Sequence, residues 1–257
     1  NKPICINEGE LIVGEKGDAP AGAPTFPELC CHTIDDFDVM NKREKISFKV
    51  EDETYKIHQE EIMPYWEERS IRHKILQNVS PEWRQAYEAG IFTEFMEQRA
   101  PGHTVADKKV FTKGMNDFKR EIQEVLDRLD FTNDLEAYEK REQLKAMTIA
   151  ADALIRLAER HAEKAEALAK EEKDPKRREE LLNIASVCRH VPANAPRNFH
   201  EALQAYWFVH LGVTTELNTW DAFCPGRLDQ HLNPFYEKGM EEGTLTKDEA
   251  YELLQCF

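Results

Sequence analysis

The 257-residue sequence lacks an excess of basic residues and lacks a long apolar run, and each absence argues against a class of function. Its 34 Lys and Arg residues are outnumbered by 49 Asp and Glu residues, which gives a formal net charge of −15. Binding to duplex nucleic acid needs clustered basic side chains against the phosphates. The longest nearly apolar run, Ala205 to Val213, is far shorter than the roughly 20 residues that span a bilayer, and there is no leader pattern. We therefore expect no nucleic-acid partner and no membrane segment.

Cysteine pairs with redox or metal-binding spacing are also missing. The six cysteines include no C-x-x-C pair, and neither Cys nor His pairs recur at the spacing of zinc ligands. In a chain of this length such cysteines are typical of reduced thiols in the cytosol. Glycine-rich phosphate loops, H-E-x-x-H and G-x-S-x-G are absent as well. We expect a cytoplasmic protein without a metal site.

The hydrophobic pattern is mostly helical, because apolar residues recur at spacings of three and four over most of the chain. Helix-start signals occur at Ser80, Asn198 and Thr246. Two short segments favour strands instead, Glu10 to Gly14 and Val213 to Trp220. No repeat or interdomain linker stands out. We therefore predict a single partial domain over residues 1–257 that is mainly α with a few strands.

The densest set of polar groups lies in the segment Thr214 to Leu232, where Asp221 stands between Trp220 and Phe223. One interpretation of Asp221 is structural, as a helix N-cap or a partner for Arg227. The other is a carboxylate in an aromatic-walled pocket, where it accepts hydrogen bonds from a polar or cationic substrate. The residues alone leave both interpretations open.

His103 is a second candidate, since it follows the turn Ala100-Pro101-Gly102 and no other histidine has such a turn before it. An imidazole at a loop tip can exchange a proton near neutral pH, although a lone histidine is more often a surface or packing residue. Phe95, eight residues earlier, would by default belong to the core. These patterns describe an acidic, mostly helical chain with one polar-aromatic turn and specify no reaction.

Three segments together resemble the glycyl radical enzymes of the pyruvate formate-lyase-like superfamily. They are NEGELIVG at Asn7 to Gly14, FTEFMEQRAPGHT at Phe92 to Thr104, and PGRLDQHLNPFY at Pro225 to Tyr236. The resemblance runs in order over essentially the whole chain. It implies the N-terminal helical part and first strand region of a pyruvate formate-lyase-like α/β barrel. Within the superfamily, MEQRAPGH combined with ELNTWDAF is most similar to the branch that dehydrates trans-4-hydroxy-L-proline.

The resemblance implies elimination of water from hydroxyproline to give pyrroline-5-carboxylate, a lyase reaction. It places Phe95, His103 and Asp221 in the substrate pocket, with His103 and Asp221 as the catalytic pair. His103 would protonate the leaving hydroxyl, Asp221 would pair with the ring nitrogen or with the hydroxyl, and Phe95 would form an apolar wall. A glycyl radical on a residue outside this chain, a radical S-adenosylmethionine activating enzyme, an anaerobic setting and a homodimer are implied as well.

Two elements of that chemistry are missing from the sequence. None of the six cysteines has Glu two residues later, and none of the eleven glycines precedes Tyr or Phe. The helix that starts at Thr246 has no stop signal before Phe257. We therefore expect an N-terminal part that does not turn over substrate by itself.

Two alternatives remain from the sequence. The first is another glycyl radical eliminase, of the diol dehydratase, choline lyase or sulfonate lyase type. The second is a non-catalytic helical scaffold, in which His103 and Asp221 are only structural.

Overall fold

A computed structural model describes residues 3–17, 22, 24–45, 47–91, 106–216 and 225–257. Within these ranges the structure is helical, and no β-strand occurs among the described residues. The mainly α fold class is thereby confirmed, while the few predicted strands are not found in the described part. The described residues form two compact units, a small unit (22, 24–45 and 47–91) and a large unit (3–17, 106–216 and 225–257). A single partial domain over residues 1–257 stays a prediction.

The small unit is built from short helices around one buried aromatic side chain. They are α1 (Ile34–Lys42), α2 (Asp52–Ile57), a π-helical segment (His58–Ile62), α3 (Met63–Trp66), α4 (Ile71–Asn78) and α5 (Pro81–Glu88). Phe37 is buried, with its ring centroid 4.4 Å from that of His58 and 5.7 Å from that of Tyr55. The buried His58 is hydrogen-bonded through Nε2 to the carbonyl oxygen of His32 at 2.7 Å. Phe37 is thus packed against two neighbouring rings.

Longer helices form the described part of the large unit. They are α6 (Lys109–Thr112), α7 (Met115–Leu126), α8 (Ala137–Glu171), α9 (Pro175–His190), α10 (Phe199–Glu216), α11 (Leu228–Glu242) and α12 (Lys247–Cys256). With 35 residues, α8 is about 50 Å long at ~1.5 Å per residue. Its outer faces carry ion pairs such as Arg156 with Glu163 at 2.9 Å. In the part of the chain that the structure describes, no helix is both long and apolar enough to cross a membrane.

The predicted helix starts are confirmed. The Ser80 hydroxyl accepts a hydrogen bond from the amide of Trp83 at the start of α5. Asn198 Oδ1 accepts one from the Glu201 amide at 2.9 Å, in the first turn of α10. Thr246 caps α12 by a capping box. Each cap provides an acceptor for an amide that the first helical turn leaves without a partner.

α8 and α9 pack together through small side chains. Four alanines of α8 are 0–4% exposed, namely Ala158, Ala162, Ala165 and Ala169. The first three of them form one hydrophobic cluster with Ile184 and Cys188 of α9 and with Phe208 of α10. Alanine brings no bulk to the contact, so the helices can approach closely while the larger side chains of α9 and α10 fill the space between them.

α10 is buried along most of its length and belongs to both hydrophobic clusters of the large unit. Phe208 faces the α8–α9 cluster, whereas Leu203 and Tyr206 pack in the cluster that includes α6, α11 and α12. The one buried carboxylate of its first turn, Glu201, is 2% exposed and pairs with the Arg197 guanidinium at 2.6 Å. The helix is therefore the central element of the large unit.

The sequence predicts a buried strand over Glu10 to Gly14. The segment is buried as predicted, but it is not a strand. Ile12 and Val13 are 3% and 0% exposed, but their backbone is irregular. A side chain takes the place of a neighbouring strand. The Val13 amide donates to Gln204 Oε1 at 2.8 Å, and Gln204 Nε2 donates to the Val13 carbonyl at 2.8 Å.

Further side chains of α9 and α10 hold the same N-terminal segment. Arg177 donates to the carbonyl oxygens of Asn7 and Glu10, each at 3.0 Å. The Nε2 of His200 is hydrogen-bonded to the carbonyl of Leu11 at 2.9 Å. Buried backbone groups need partners, and helix side chains supply them here in the absence of a sheet.

The second predicted strand, Val213 to Trp220, is also wrong in its first half. Residues 213–216 continue α10, and the remaining residues, 217–220, lie outside the described part. The buried Thr214 directs its hydroxyl to the carbonyl of His210 at 2.9 Å, within the helix. β-branched residues favour strands only weakly, and tertiary packing overrides that preference here.

Candidate functional site

Phe95, His103 and Asp221, the three side chains predicted to bind substrate, lie outside the described residues. They fall in two segments, 92–105 and 217–224, whose flanks the structure does describe. Ala106 follows the first segment, α10 precedes the second, and Pro225 follows it. The roles of the three residues stay predictions.

The segment after residue 224 forms a turn into α11. Gly226 has φ +69°, a backbone conformation that favours glycine. Arg227 occupies the N-cap position of α11, and its guanidinium lies 3.5 Å from the Asp229 carboxylate. This hydrogen bond lowers the pKa of Asp229 below its ordinary value. A carboxylate in the first turn also interacts favourably with the positive end of the helix dipole. These two residues therefore stabilise the start of α11.

A contact between Asp107 and His231 joins the flanks of the two segments. His231 Nε2 lies 3.5 Å from Asp107 Oδ1, with the histidine side chain 16% exposed and the aspartate 69% exposed. Asp107 comes two residues after the first segment, and His231 lies in the first turns of α11, after the second. The His231 ring stacks on Phe111 at 5.0 Å and 15°. The imidazole is thus held between an apolar ring and a carboxylate.

The backbone at this contact is strained. Ala106 and Asp107 have φ of 56° and 47°, in the left-handed region that residues other than glycine rarely adopt. This conformation costs roughly 1–2 kcal/mol per residue, less for Asp than for alanine. Strain of this kind persists where neighbouring contacts enforce it and is concentrated at functional sites. The chain is therefore bent at the point where it leaves segment 92–105.

Stacked rings extend from this contact along α10. Phe111 lies parallel to Tyr206 at 6.2 Å, and the Tyr206 hydroxyl is 3.5 Å from His210 Nδ1. Trp207 stacks on His210 at 5.2 Å and donates its indole N–H to the carbonyl of Gly14 at 2.8 Å. These rings form a rigid apolar support on the helix that leads into the second segment.

A separate groove of about 870 Å³ lies among α9, α10, α11 and α12. His200 lines it and is partly buried, and this burial lowers the pKa of its imidazole. Its Nδ1 is hydrogen-bonded to Asn183 at 3.2 Å, and its Nε2 to Leu11. Because both nitrogens have protein partners, His200 stabilises the groove wall and has no site left for a ligand.

Sequence reasoning did not single out Asp107 or His231, which are far apart in the chain. His231 lies in the segment Pro225 to Tyr236, but nothing in that segment indicated Asp107 as its neighbour. The two residues with left-handed conformation before α6 are Ala106 and Asp107, and neither is a glycine. The sequence therefore gave no signal for this bend. Among the residues that the structure describes, no group of three His, Cys, Asp or Glu side chains is placed to hold a metal ion.

The comparison with protein families gives one match over the entire chain. The family described as pyruvate formate lyase-like matches residues 1–257. A trans-4-hydroxy-L-proline dehydratase of Clostridioides difficile is 58% identical over 257 residues, which are 100% of this chain and 33% of that protein. The crystal structure of the hydroxyproline dehydratase from that organism, with trans-4-hydroxy-L-proline bound, matches with a TM-score of 0.85 over 100% of this chain and 32% of the crystal chain.

More distant relatives include a protein named for another reaction and a structure named only for its enzyme class. An isethionate sulfite-lyase of Nitratidesulfovibrio vulgaris is 34% identical over 269 residues, covering 100% of this chain and 32% of that protein. A glycyl radical enzyme of known structure from Archaeoglobus fulgidus is 34% identical, with a TM-score of 0.79 over 100% of this chain and 33% of that one. The chain therefore spans about a third of the length of these relatives.

Proposed function

Because the chain belongs to the pyruvate formate lyase-like family, we propose that it forms the N-terminal part of a glycyl radical dehydratase. The whole protein would eliminate water from trans-4-hydroxy-L-proline and give pyrroline-5-carboxylate. The observation that carries this proposal is 58% identity over the full chain to a protein with that activity, against 34% to a sulfonate lyase. The similar fold of the substrate-bound crystal structure supports it further.

The proposed chemistry assigns a role to each of the three predicted residues. A protein-derived glycyl radical and a cysteine thiyl of the whole protein would supply the hydrogen abstraction next to the ring nitrogen and would return the hydrogen after water has left. His103 donates a proton to the hydroxyl that leaves, because hydroxide is a poor leaving group. Asp221 orients the substrate by a charge-assisted hydrogen bond to the ring nitrogen or the hydroxyl. Phe95 excludes water from the pocket.

The described flanks support a common site for His103 and Asp221. Asp107 lies four residues after His103, and its carboxylate contacts His231 of the helix that follows Asp221. Two segments that are distant in sequence are therefore connected at their described ends. The apolar rings of Phe111 and Tyr206 beneath this connection suit a pocket with little water.

The proposed setting is a reducing, anaerobic cytoplasm. Cys5, Cys31 and Cys256 are free thiols at partly exposed positions, which fits a compartment that keeps thiols reduced. By family analogy, a radical S-adenosylmethionine enzyme would activate the protein, and two copies would form a homodimer.

The direct test is turnover by the whole protein after anaerobic activation by its activating enzyme. Pyrroline-5-carboxylate formation from hydroxyproline is measured, with 1,2-propanediol, choline and isethionate as competing substrates. We expect hydroxyproline to have the highest kcat/KM by far. Preferred turnover of a linear substrate would instead assign the protein to another eliminase class. No turnover of any of the four substrates by radical-bearing protein would contradict the dehydratase proposal.

Variants of the predicted residues test their roles in the same assay. H103Q should lower kcat by roughly 10²–10⁴-fold, the usual contribution of a general acid. D221N should lower kcat/KM roughly tenfold or more, since a hydrogen bond to a charged group contributes about 1.5–3 kcal/mol. H73Q is the control, because His73 pairs with Gln77 on α4. Full turnover by H103Q would show that His103 is not the proton donor to the leaving hydroxyl.

A further inference from the structure

The groove among α9, α10, α11 and α12 has no assigned role in the proposed reaction, and the residues that line it belong to the described part of the large unit. We propose that this α9–α12 groove is a docking site for a partner protein, which inserts an amphipathic helix with Lys or Arg beside its apolar face. The inference is independent of the substrate that the whole protein accepts. It stands on the floor, the charge and the walls of the groove.

The floor of the groove is apolar. Val187, Phe199 and Leu253 are 4%, 5% and 6% exposed and belong to the hydrophobic cluster that includes α6, α11 and α12. Leu11 and Leu245 are partly buried, pack against the same cluster and also line the groove. The volume of about 870 Å³ lies in the range of roughly 300–1,000 Å³ that is usual for ligand pockets. Apolar side chains of a ligand can therefore cover the outer face of this cluster and remove it from water.

The rim of the groove is acidic on both sides. Glu179 of α9, Glu242 of α11 and Glu252 of α12 line the groove and are exposed. Their carboxylates form no hydrogen bond or ion pair with any other residue of the described ranges. The other glutamates of the lining, Glu180 and Glu249, have partners within the chain. Three uncompensated carboxylates on three helices thus surround the apolar floor.

The basic side chains of the lining do not cancel this charge. Lys176 lies 3.5 Å from Glu180, and Arg197 lies 2.6 Å from Glu201. Among the lining residues, all of which the structure describes, Lys238 is the one exposed cation without an ion pair. Three carboxylates against one cation leave the rim negative, so it attracts Lys and Arg and repels a phosphate or an acidic peptide.

The walls favour a helix as the inserted element. They consist of four helices and the turn between α11 and α12, and these described walls have no strand edge. An extended peptide would leave its amides and carbonyls without partners against the apolar floor, whereas a helix pairs its backbone internally. The apolar face of such a helix fits the floor. Its flanking Lys or Arg side chains donate charge-assisted hydrogen bonds to the glutamates of the rim, and their apolar stems cover the groove edge.

The test measures binding of a synthetic peptide to the whole protein by fluorescence anisotropy. The probe is an amphipathic peptide of about 18 residues with a leucine face flanked by lysines, since isolated helices shorter than about 12–15 residues form poorly. The variant E179Q/E242Q/E252Q should weaken binding at least about fivefold, because it removes three exposed charge pairs. A peptide of the same pattern with glutamate in place of lysine should bind at least about tenfold more weakly than the lysine peptide.

A matched variant separates the groove from the general acidity of the protein. E124Q/E139Q/E171Q removes the same number of charges at exposed positions of α7 and α8, outside the groove, and should change the affinity by less than about twofold. Equal weakening by the two triple variants would overturn the proposal, since the peptide would then be attracted by net charge alone.

A steric variant tests the floor independently of charge. T244W places a large ring at an exposed position of the lining, and it should weaken binding at least about tenfold. The control T132W makes the same substitution at an exposed position between α7 and α8 and should bind as wild type does. Unchanged binding by T244W would refute docking in the groove. Failure of the wild-type whole protein to bind the lysine peptide would also refute it, as expected if another part of the whole protein fills the groove.

Discussion

The carboxamide of Gln204 forms both of its hydrogen bonds with the backbone of Val13, one to the amide and one to the carbonyl, each at 2.8 Å. Both residues are 0% exposed. A neighbouring antiparallel strand would make the same pair of bonds. One side chain of α10 thus replaces a sheet for the N-terminal segment, which explains why a strand-like sequence is buried without being a strand.

Substitution of Gln204 by leucine should destabilise the large unit. Q204L leaves one buried amide and one buried carbonyl of Val13 without partners, at about 1–3 kcal/mol each. We expect the free energy of unfolding to fall by about 2–5 kcal/mol, measured by urea denaturation. Q255L, at an exposed position of α12, is the control and should stay within about 0.5 kcal/mol of wild type. Equal stability of the two variants would show that water replaces the carboxamide.

The helices could be predicted because their signals are local. The caps at Ser80, Asn198 and Thr246 act on amides within three residues, so the sequence around each start contains the whole interaction. The burial of Glu10 to Gly14 was predictable from composition, but its backbone partners were not. Gln204 lies on a distant helix, and nothing in its local sequence indicates that it faces Val13.

The candidate site could be predicted only through resemblance. Residue patterns left Asp221 and His103 with structural and functional interpretations alike. The described flanks add Asp107 and His231, whose contact depends on the packing of α6 against α11 and on a left-handed bend without glycine. Pairings of this kind follow from the fold of the large unit, not from the spacing of residues.

Stability should decline at acidic pH because of His200. Its burial lowers the pKa of the imidazole, so the unfolded chain binds a proton near the ordinary value of about 6.5 while the folded chain does not. The unfolded state then binds more protons, and the free energy of unfolding falls as pH decreases below about 6.5. The fall attributable to His200 is at most about 1.4 kcal/mol per pH unit.

The variant H200Q tests this pH dependence. Glutamine can still donate to the Leu11 carbonyl, which His200 Nε2 contacts at 2.9 Å, but it does not titrate. We expect the free energy of unfolding, measured with urea, to fall between pH 7.5 and pH 5.5 by about 1 kcal/mol less in H200Q than in wild type. His32, which burial shifts in the same direction, is present in both proteins and cancels in the difference. Identical pH profiles would assign the acid sensitivity to other groups.

Gly114 should be intolerant of a side chain. A Cβ added there would lie 2.3 Å from Asn194 Cα and 2.4 Å from the Ala193 carbonyl oxygen, both in backbone that cannot move aside cheaply. The same turn is bound by the Met115 amide, which donates to the Pro192 carbonyl at 2.8 Å. G114A should lower the free energy of unfolding by at least about 1–3 kcal/mol. The control G243N places a side chain where no atom lies within 4 Å, and it should be close to neutral.

The close packing of α8 on α9 should depend on the alanines of α8. Ala165 is 0% exposed in the cluster with Ile184 and Cys188, so a leucine there has no space and must separate the helices. A165L should lower the free energy of unfolding by about 1–3 kcal/mol. The control A167L makes the same substitution at an exposed position of the same helix. Alanine and leucine have similar helix propensities, so A167L should change the free energy of unfolding by less than about 0.5 kcal/mol. If A165L matches A167L in thermal and urea unfolding, the two helices are not in close contact at this point.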